Sequence, residues 1–172
     1  MQDTASQRSR TPPADESAAV QHFRALVAAV VNQIVGRRLD PSLEQWLNAQ
    51  QGPATPGYER IREACLQGVA EGWMCARERG GIRYGRVLRP SQELHQFSVD
   101  VVDMENIVAP HHVHPQGEIN MIMPLAGDAR FDGRAAGWCV YPPKSSHSPA
   151  VSGGRALVLY LLPDGKIEFT GA

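Results

Sequence analysis

The spacing of apolar residues changes at Gly80-Gly81, and this change divides the chain into two parts with different secondary structure. Before it, apolar residues recur every three or four positions, which is typical of amphipathic helices. After it, apolar and polar residues alternate, as at Phe97, Val99 and Val101, which is typical of strands. The sequence therefore predicts a helical first part and a β-rich second part.

Three amphipathic helices are predicted within residues 18–79. Gly36 is placed to end the first helix, and Asp40 followed by Pro41 is a typical start for the second. The apolar positions of the three helices are Val20, Phe23, Val27, Val30 and Ile34; Leu43, Trp46 and Leu47; and Tyr58, Ile61, Cys65, Val69 and Trp73. Residues 1–17 are polar and charged, which predicts a disordered tail.

The β-rich part, residues 80–172, has short β-forming runs separated by Gly and Pro. Turns are predicted at 126–128 and 163–165. The predicted strands cover residues 82–89, 97–108, 118–125, 137–141 and 156–162. Closely spaced short strands of this kind predict an antiparallel sandwich or barrel.

Histidines are concentrated in the β-rich part of the chain. His112 and His114 are two positions apart, so on a strand both imidazoles point to the same side. Residues 115–117, Pro-Gln-Gly, can turn the chain back and bring Glu118 beside the pair. Two imidazoles and a carboxylate suit Fe(II), Mn(II), Ni(II), Zn(II) or Co(II). With His147 as the fourth ligand, beyond a second hairpin, the sequence predicts one bound divalent metal ion.

The remaining histidines and the cysteines carry no comparable pattern. His111 is out of phase with the pair, so it is expected at the surface or next to the ligands. His22 and His95 are not expected to bind metal. No CxxC spacing is present, so reduced thiols that serve packing are expected for Cys65, Cys75 and Cys139.

Two segments resemble the motifs of the cupin superfamily. Residues 112–118 resemble the first motif, HxHxxxE, and residues 137–147 are similar to the second, GxxxxPxGxxH. Lys144 stands where the second motif usually has Gly, which leaves the turn geometry open. The resemblance implies a mainly β protein, with a cupin-like antiparallel β-barrel (jelly roll) after an α-helical N-terminal region.

A narrower resemblance extends over most of the chain. The helical first part, HHVHPQGEIN at 111–120, GWCVYPP at 137–143 and YLLPDGKIEF at 160–169 together resemble the 4-hydroxylaminobenzoate lyases of bacterial nitroaromatic degradation. This resemblance implies a metal-dependent, redox-neutral reaction of 4-hydroxylaminobenzoate with water that gives 3,4-dihydroxybenzoate and ammonia. It also implies a catalytic role for Glu118, either as a permanent ligand or as an acid or base.

An aromatic carboxylate substrate favours an arginine, because the planar guanidinium group pairs with both carboxylate oxygens. Arg83, Arg86 and Arg89 lie on the first predicted strand, and Tyr84 shares a face with Arg86. Trp138 is a further aromatic candidate for a substrate pocket. The candidate substrate-binding residues are thus Arg83, Arg86, Tyr84 and Trp138.

Two other functions use the same predicted metal site. An Fe(II)-dependent cupin dioxygenase would bind an aromatic substrate there, and a non-enzymatic cupin would use the metal in binding or regulation. A nucleic-acid partner is disfavoured, since 17 basic residues face 18 acidic ones. No GxGxxG or GxxxxGK[ST] motif is present, so an organic redox cofactor is not expected.

The sequence also gives expectations for location and assembly. The first 17 residues show neither a secretory signal nor an apolar membrane segment, so a cytoplasmic protein without a membrane partner is expected. Trp46, Trp73 and the apolar face of residues 20–34 exceed what one short barrel is expected to cover. A homodimer or higher homo-oligomer is therefore predicted.

Overall fold

The computed structural model describes residues 16–171, in which three helices precede nine strands. The helices are α1 (Ala18–Ile34), α2 (Pro41–Gln50) and α3 (Pro56–Glu71). The strands are β1 (Arg77–Arg79), β2 (Ile82–Leu88), β3 (Phe97–Val108), β4 (His112–His114), β5 (Glu118–Phe131), β6 (Gly137–Tyr141), β7 (Ser145–His147), β8 (Ala150–Pro163) and β9 (Glu168–Phe169). The predicted tail lies outside the described residues, except for positions 16 and 17.

Capping residues mark the start of each helix, and a glycine follows the end of α3. The side chains of Ser17, Asp40 and Thr55 each accept a hydrogen bond from the backbone N–H three residues further on. Gly72 follows α3 with a left-handed φ of 84°, which glycine adopts without steric cost. The third helix therefore ends at Glu71, before Trp73, the last of its predicted apolar positions.

The strands form two antiparallel sheets. The large sheet has the order β1-β2-β3-β8-β5-β6, and the small sheet has the order β7-β4-β9. Side chains of the small sheet meet one face of the large sheet, so this face is called the inner face. The prediction of a mainly β, antiparallel fold with a helical N-terminal region is confirmed.

The helices pack on the outer face of the large sheet. Alternate residues of a strand point to opposite faces, so one strand contributes to two cores. The outer-face residues that share a core with the helices include Val99, Val101, Ile119, Met121, Leu157, Leu159 and Leu161. The inner-face core includes Val102, Met104, Ile122, Phe131, Ala156 and Val158. The helical region and the sheet therefore share one hydrophobic core.

Helix α2 covers the free edge of β6. The Asn48 side chain accepts a hydrogen bond from Trp138 N and donates one to Trp138 O, both at 2.8 Å. Trp138 Nε1 donates to Gln51 O at 2.8 Å, and Val140 N donates to Glu44 Oε1 at 3.0 Å. These bonds satisfy backbone groups that an edge strand would otherwise expose.

The predicted turn at residues 126–128 is wrong. β5 continues to Phe131 with shifts in its pairing to β8, so these residues form irregular strand rather than a turn. Gly127 has a φ of 67°, and a Cβ there would lie 2.4 Å from Gly153 O. Glycine here permits the close approach of two strands, which a search for turn residues does not distinguish from a reversal.

The apolar surfaces that suggested an oligomer are covered within the chain. Phe23 on α1 is fully buried, and the Trp73 ring packs edge-on against it at 6.1 Å. The Arg37 guanidinium lies 4.3 Å over the Trp46 ring. The homo-oligomer therefore stays a prediction, and these apolar surfaces no longer support it. Within residues 16–171, every helix is too short or too polar to span a membrane.

Candidate metal centre

The four predicted ligand residues come together between the two sheets. His112 and His114 point inward from β4, and Glu118 begins β5 on the inner face. In the small sheet His147 lies directly opposite His112. The turn before Glu118 requires Gly117, whose φ is 90° and where a Cβ would lie 2.8 Å from Tyr141 O.

The ligand atoms of the four residues all lie within 4.8 Å of one another. The Nε2 atoms of His112, His114 and His147 lie 3.5, 3.1 and 3.5 Å from the Glu118 carboxylate. His112 Nε2 and His147 Nε2 are 3.1 Å apart. Three imidazole nitrogens thus surround one carboxylate at distances that leave a shared position for an ion.

The burial of the cluster favours a cation at its centre. Glu118 and His114 are fully buried, His112 is 2% exposed, and the His147 side chain is 13% exposed. Among the described residues, neither Glu118 oxygen has a hydrogen-bond partner, and His114 Nε2 has none either. Buried polar atoms without partners are costly unless something binds them. Three nitrogens and one oxygen are suitable donors for one divalent ion such as Fe, Mn, Zn, Ni or Co.

The ionisation states support the same conclusion. Burial opposes ionisation of Glu118, but the three imidazoles beside it outweigh burial and hold its pKa well below the usual range. Burial likewise lowers the pKa of His147, yet Asp132 and Glu118 outweigh it and raise that pKa to about 9. In the metal-free protein the cluster therefore holds a buried carboxylate whose charge attracts either a proton or a metal ion.

The outward-facing Nδ1 atoms of the histidines have partners of their own. His114 Nδ1 lies 2.9 Å from Ser145 Oγ, and His112 Nδ1 lies 3.4 Å from the carbonyl oxygen of Pro110. Such contacts fix which ring nitrogen carries the proton and leave Nε2 free to bind a metal.

The third histidine is held by a carboxylate that the sequence motifs do not contain. His147 Nδ1 lies 2.7 Å from Asp132 Oδ2, and Tyr141 OH donates to the same oxygen. Ala150 N donates to Asp132 Oδ1 at 2.9 Å. Asp132 precedes Gly133, so its sequence signal is that of a turn residue, and only the fold shows that it reaches the cluster.

The candidate substrate-binding residues lie on two different faces. Tyr84 and Arg86 point to the inner face, whereas Arg83 lies on the outer side of the sheet in a surface cleft with Asp103. Trp138 also faces outward, into the core with the helices. Since alternate strand residues point oppositely, the inner face receives Tyr84 and Arg86 from this set.

Arg86 is held at the edge of the inner face by two acceptors. Its Nε donates to Asp100 Oδ1 at 2.8 Å, and its Nη2 donates to Gly165 O at 3.2 Å. The side chain remains 37% exposed. Burial raises the pKa of Asp100 although Arg86 lowers it, so the carboxylate is largely shielded from solvent while the arginine stays partly exposed.

Near the metal cluster the inner face carries several polar side chains together with Leu162, which lies opposite Ser98, and it is apolar further along the strands. The polar positions are Ser98, Asp100, Glu118, Asn120 and Tyr160. The apolar positions are Ile82, Val102, Met104, Ile122, Ala156 and Val158. The division leaves polar side chains at the end where a substrate would meet the metal.

The other histidines lie outside the cluster. His111 Nδ1 lies 2.8 Å from Thr170 Oγ1, which fastens the C-terminal segment to β4. His95 Nε2 lies 2.7 Å from Asn32 Oδ1, and His22 is exposed on α1.

All three cysteines are buried and free. Burial raises the pKa of Cys75 and of Cys139 to about 12, so these thiols are protonated at neutral pH. Burial also raises the pKa of Cys65. Protonated, buried thiols agree with the packing role expected from the sequence.

Comparison with known proteins points to one family. The family model of PnbB, 4-hydroxylaminobenzoate lyase, matches residues 25–169. A 4-hydroxylaminobenzoate lyase from Nocardioides sp. (strain LMS-CY) is 36% identical over 148 residues, which cover 81% of this chain and 88% of the relative. A 4-hydroxylaminobenzoate lyase from Pseudomonas putida is 31% identical over 154 residues, which cover 80% and 88%.

Solved structures show only partial similarity. Oxalate oxidase in complex with glycolate has a TM-score of 0.41 and 21% identity, and the match covers 54% of this chain and 57% of that chain. An RmlC-like cupin protein from Ralstonia eutropha JMP134 has a TM-score of 0.41 and 12% identity, and the match covers 55% and 62%.

Proposed function

The chain belongs to the 4-hydroxylaminobenzoate lyase family, and on this premise we propose that it converts 4-hydroxylaminobenzoate and water to 3,4-dihydroxybenzoate and ammonia. The observation that supports this most directly is the buried cluster of His112, His114, Glu118 and His147 beside a polar inner surface. The reaction is redox-neutral, because cleavage of the N–O bond reduces the nitrogen by two electrons and hydroxylation of the neighbouring ring carbon oxidises that carbon by two.

The chemistry has three parts. The N–O bond breaks and its electron pair leaves with hydroxide, water adds to the ring carbon beside the nitrogen-bearing carbon, and hydrolysis of the resulting imine releases ammonia. A divalent ion in this cluster would supply Lewis acidity toward the hydroxylamino oxygen and would raise the acidity of a bound water. Two waters are consumed in these steps, and one is returned when the released hydroxide takes up the proton that the ring carbon loses, so the net reaction uses one water.

The residues of the chain have separate tasks in this proposal. His112, His114 and His147 hold the ion through Nε2, and Asp132 keeps the His147 ring in place. Glu118 completes the ligand set, either as a permanent ligand or as a carboxylate that detaches from the ion to act as an acid or base.

The far end of the substrate needs a cationic partner. We propose that Arg86 binds the substrate carboxylate, because it points to the inner face and keeps more than a third of its side chain exposed. Tyr84, from the same face, lines the path of the ring. Arg83 and Trp138 face the other way and have no part in this pocket.

The proposal includes a cytoplasmic enzyme that acts on a small aromatic acid as a homo-oligomer, without a nucleic-acid or membrane partner. The nearly balanced charge of the chain supports the absence of a nucleic-acid partner, since no surplus of basic residues is available to neutralise phosphates.

The experiment that tests this function uses one preparation. Protein purified without added metal is analysed for its metal content and then incubated with 4-hydroxylaminobenzoate under argon, without NAD(P)H. We expect a bound divalent metal and equal amounts of 3,4-dihydroxybenzoate and ammonia. Glu118→Gln is the control and should form neither product.

Two outcomes would replace the proposed function. Turnover that requires oxygen, with ring-cleaved product from a catechol or aminophenol, would identify a dioxygenase. A metal-loaded protein that transforms neither substrate type would identify a binding or regulatory protein.

A further inference from the structure

Asn120 is a fully buried amide one step along β5 from the metal cluster. It follows Glu118 by two positions, so both side chains point to the inner face. Two residues of a strand span about 7 Å, which places the amide next to any group bound beside Glu118. Further along the same face, Ile122 begins the apolar half of the barrel interior.

One polar atom of the Asn120 side chain has no strong partner. Its Oδ1 lies 3.7 Å from the Cys139 thiol, and its Nδ2 has no hydrogen-bond partner among the described residues. Exchange of the two amide atoms would leave Oδ1 unpaired instead, because only one of them can face the thiol. A buried amide group without a partner destabilises a folded protein, so its retention calls for a function.

The neighbours of Asn120 make a ligand the natural partner. The residues directly opposite it are Cys139 on β6 and Tyr160 on β8, and both point to the inner face. A buried water would need two or more additional polar partners to be held there. A polar substituent on a substrate ring would meet the amide directly while the ring itself lies against apolar side chains.

We propose that Asn120 is a specificity residue whose side-chain amide hydrogen-bonds the substituted end of the substrate ring. In the substrate this contact is to the hydroxylamino group, and in the product it is to a ring hydroxyl. The inference rests on the proposed function, since it assigns Asn120 to the same substrate. It does not include a proton transfer, because an amide neither gains nor loses a proton at neutral pH.

The proposal predicts opposite effects on stability and on binding. Asn120→Leu replaces the amide by an apolar group of similar size, so it removes an unpaired polar group from the interior. We expect the metal-free variant to unfold at the same temperature as the wild type or at a higher one. A purely structural amide would give the reverse, a lower unfolding temperature.

The binding measurement compares two ligands of the metal-loaded protein by calorimetry under argon. Benzoate carries only the carboxylate, whereas 3,4-dihydroxybenzoate also carries the ring hydroxyls. We expect the ratio of their Kd values, benzoate over dihydroxybenzoate, to fall about tenfold in Asn120→Leu, as for the loss of one hydrogen bond. Asn120→Ala should give the same fall, and it serves if the leucine is too large for the site.

Asn48→Leu is a matched control on the outer side of the sheet. Asn48 makes hydrogen bonds to Trp138 N and O, so its loss should lower the unfolding temperature and leave the ratio of Kd values unchanged. Comparison of the Asn48 and Asn120 variants thus distinguishes the effect of losing a hydrogen-bonded structural amide from the effect of losing an unpaired one.

The outcomes distinguish this proposal from the proposed function. If wild-type protein forms product but both Asn120 variants keep the wild-type ratio, the Asn120 contact is wrong and the lyase function stands. If the variants weaken both ligands equally, the amide does not contact the ring substituents, and the proposal also fails. If the wild type neither forms product nor binds dihydroxybenzoate, the function and this inference fail together.

Discussion

His147 Nδ1 lies 2.7 Å from Asp132 Oδ2, so the most exposed of the four candidate ligands is held by a carboxylate outside both sequence motifs. Asp132 is fixed in turn by Tyr141 OH and by the backbone N–H of Ala150. With Nδ1 occupied, Nε2 is directed toward Glu118 at 3.5 Å. The relationship makes Asp132 the support of the ligand on β7, a three-residue strand at the edge of the small sheet.

We expect Asp132→Asn to weaken metal binding by about 10- to 100-fold, the usual cost of losing a carboxylate that orients a metal-binding histidine. The amide lacks the charge that fixes the His147 ring, although it can still accept one hydrogen bond. Competition with a chromogenic chelator measures the change. Asp128→Asn is the control, because the Asp128 side chain is 83% exposed, and it should bind metal like the wild type. Equal affinity in the two variants would exclude the supporting role.

His112→Ala and His114→Ala should each remove most of the bound metal while the chain remains folded. Both imidazoles contribute Nε2 to the cluster, but the core does not depend on them, because the large sheet packs against three helices on its other face. Elemental analysis gives the metal content, and far-UV circular dichroism gives the fold. His22→Ala, on the exposed side of α1, should retain full metal content. Full occupancy in either cluster variant would contradict the proposed ligand set.

The ligand residues could be predicted from sequence because their spacing is local. His112 and His114 share a strand face by alternation, and one short turn brings Glu118 beside them. Asp132 and Asn120 could not be predicted in the same way. Asp132 follows the last residue of β5, so only the fold brings it to His147, and Asn120 is notable only for an amide that lacks a partner.

The faces of the strands were predictable in part. The alternation of Arg83 and Arg86 follows from their spacing, but which of them faces the barrel interior depends on the pairing of β2 with β3. The length of β5 was underestimated because Gly127, which permits close strand approach, has the same sequence signal as a turn glycine.

The metal-free protein should lose stability as pH rises from about 6.5 to about 9, the interval between the ordinary pKa of histidine and that of folded His147. Burial disfavours the charged ring, but Asp132 and Glu118 raise its pKa. A group whose pKa is raised by folding stabilises the folded protein at pH values below its pKa in the unfolded state. This stabilisation is lost as the pH rises through its pKa in the folded state. Glu118, with its lowered pKa, stays ionised across the interval and adds no slope.

Thermal unfolding of the metal-free protein at several pH values tests the predicted loss of stability. The unfolding temperature of His147→Gln should depend less on pH over the same interval. Metal must displace the proton from His147, so calorimetry at pH 7.5 in buffers of different ionisation enthalpy should show about one proton released per metal ion bound. Wild type and variant with parallel pH profiles would show that His147 is not the responsible group.

Arg86 and Arg83 provide a matched pair for locating the substrate carboxylate, because they lie three positions apart on β2 and face opposite sides of the sheet. Arg86→Gln should raise the KM for 4-hydroxylaminobenzoate by about 10- to 100-fold, the effect of losing a hydrogen bond to a charged group. Arg83→Gln should leave KM unchanged, since Arg83 lies with Asp103 on the outer side. Arg86→Lys keeps the charge without the planar fork, and its KM should be intermediate.

The deciding measurement uses phenylhydroxylamine, which lacks the carboxylate: its KM should be the same for the wild type and Arg86→Gln. If Arg86→Gln raises both KM values alike, Arg86 acts through Asp100 and the shape of the barrel, and the carboxylate binds elsewhere.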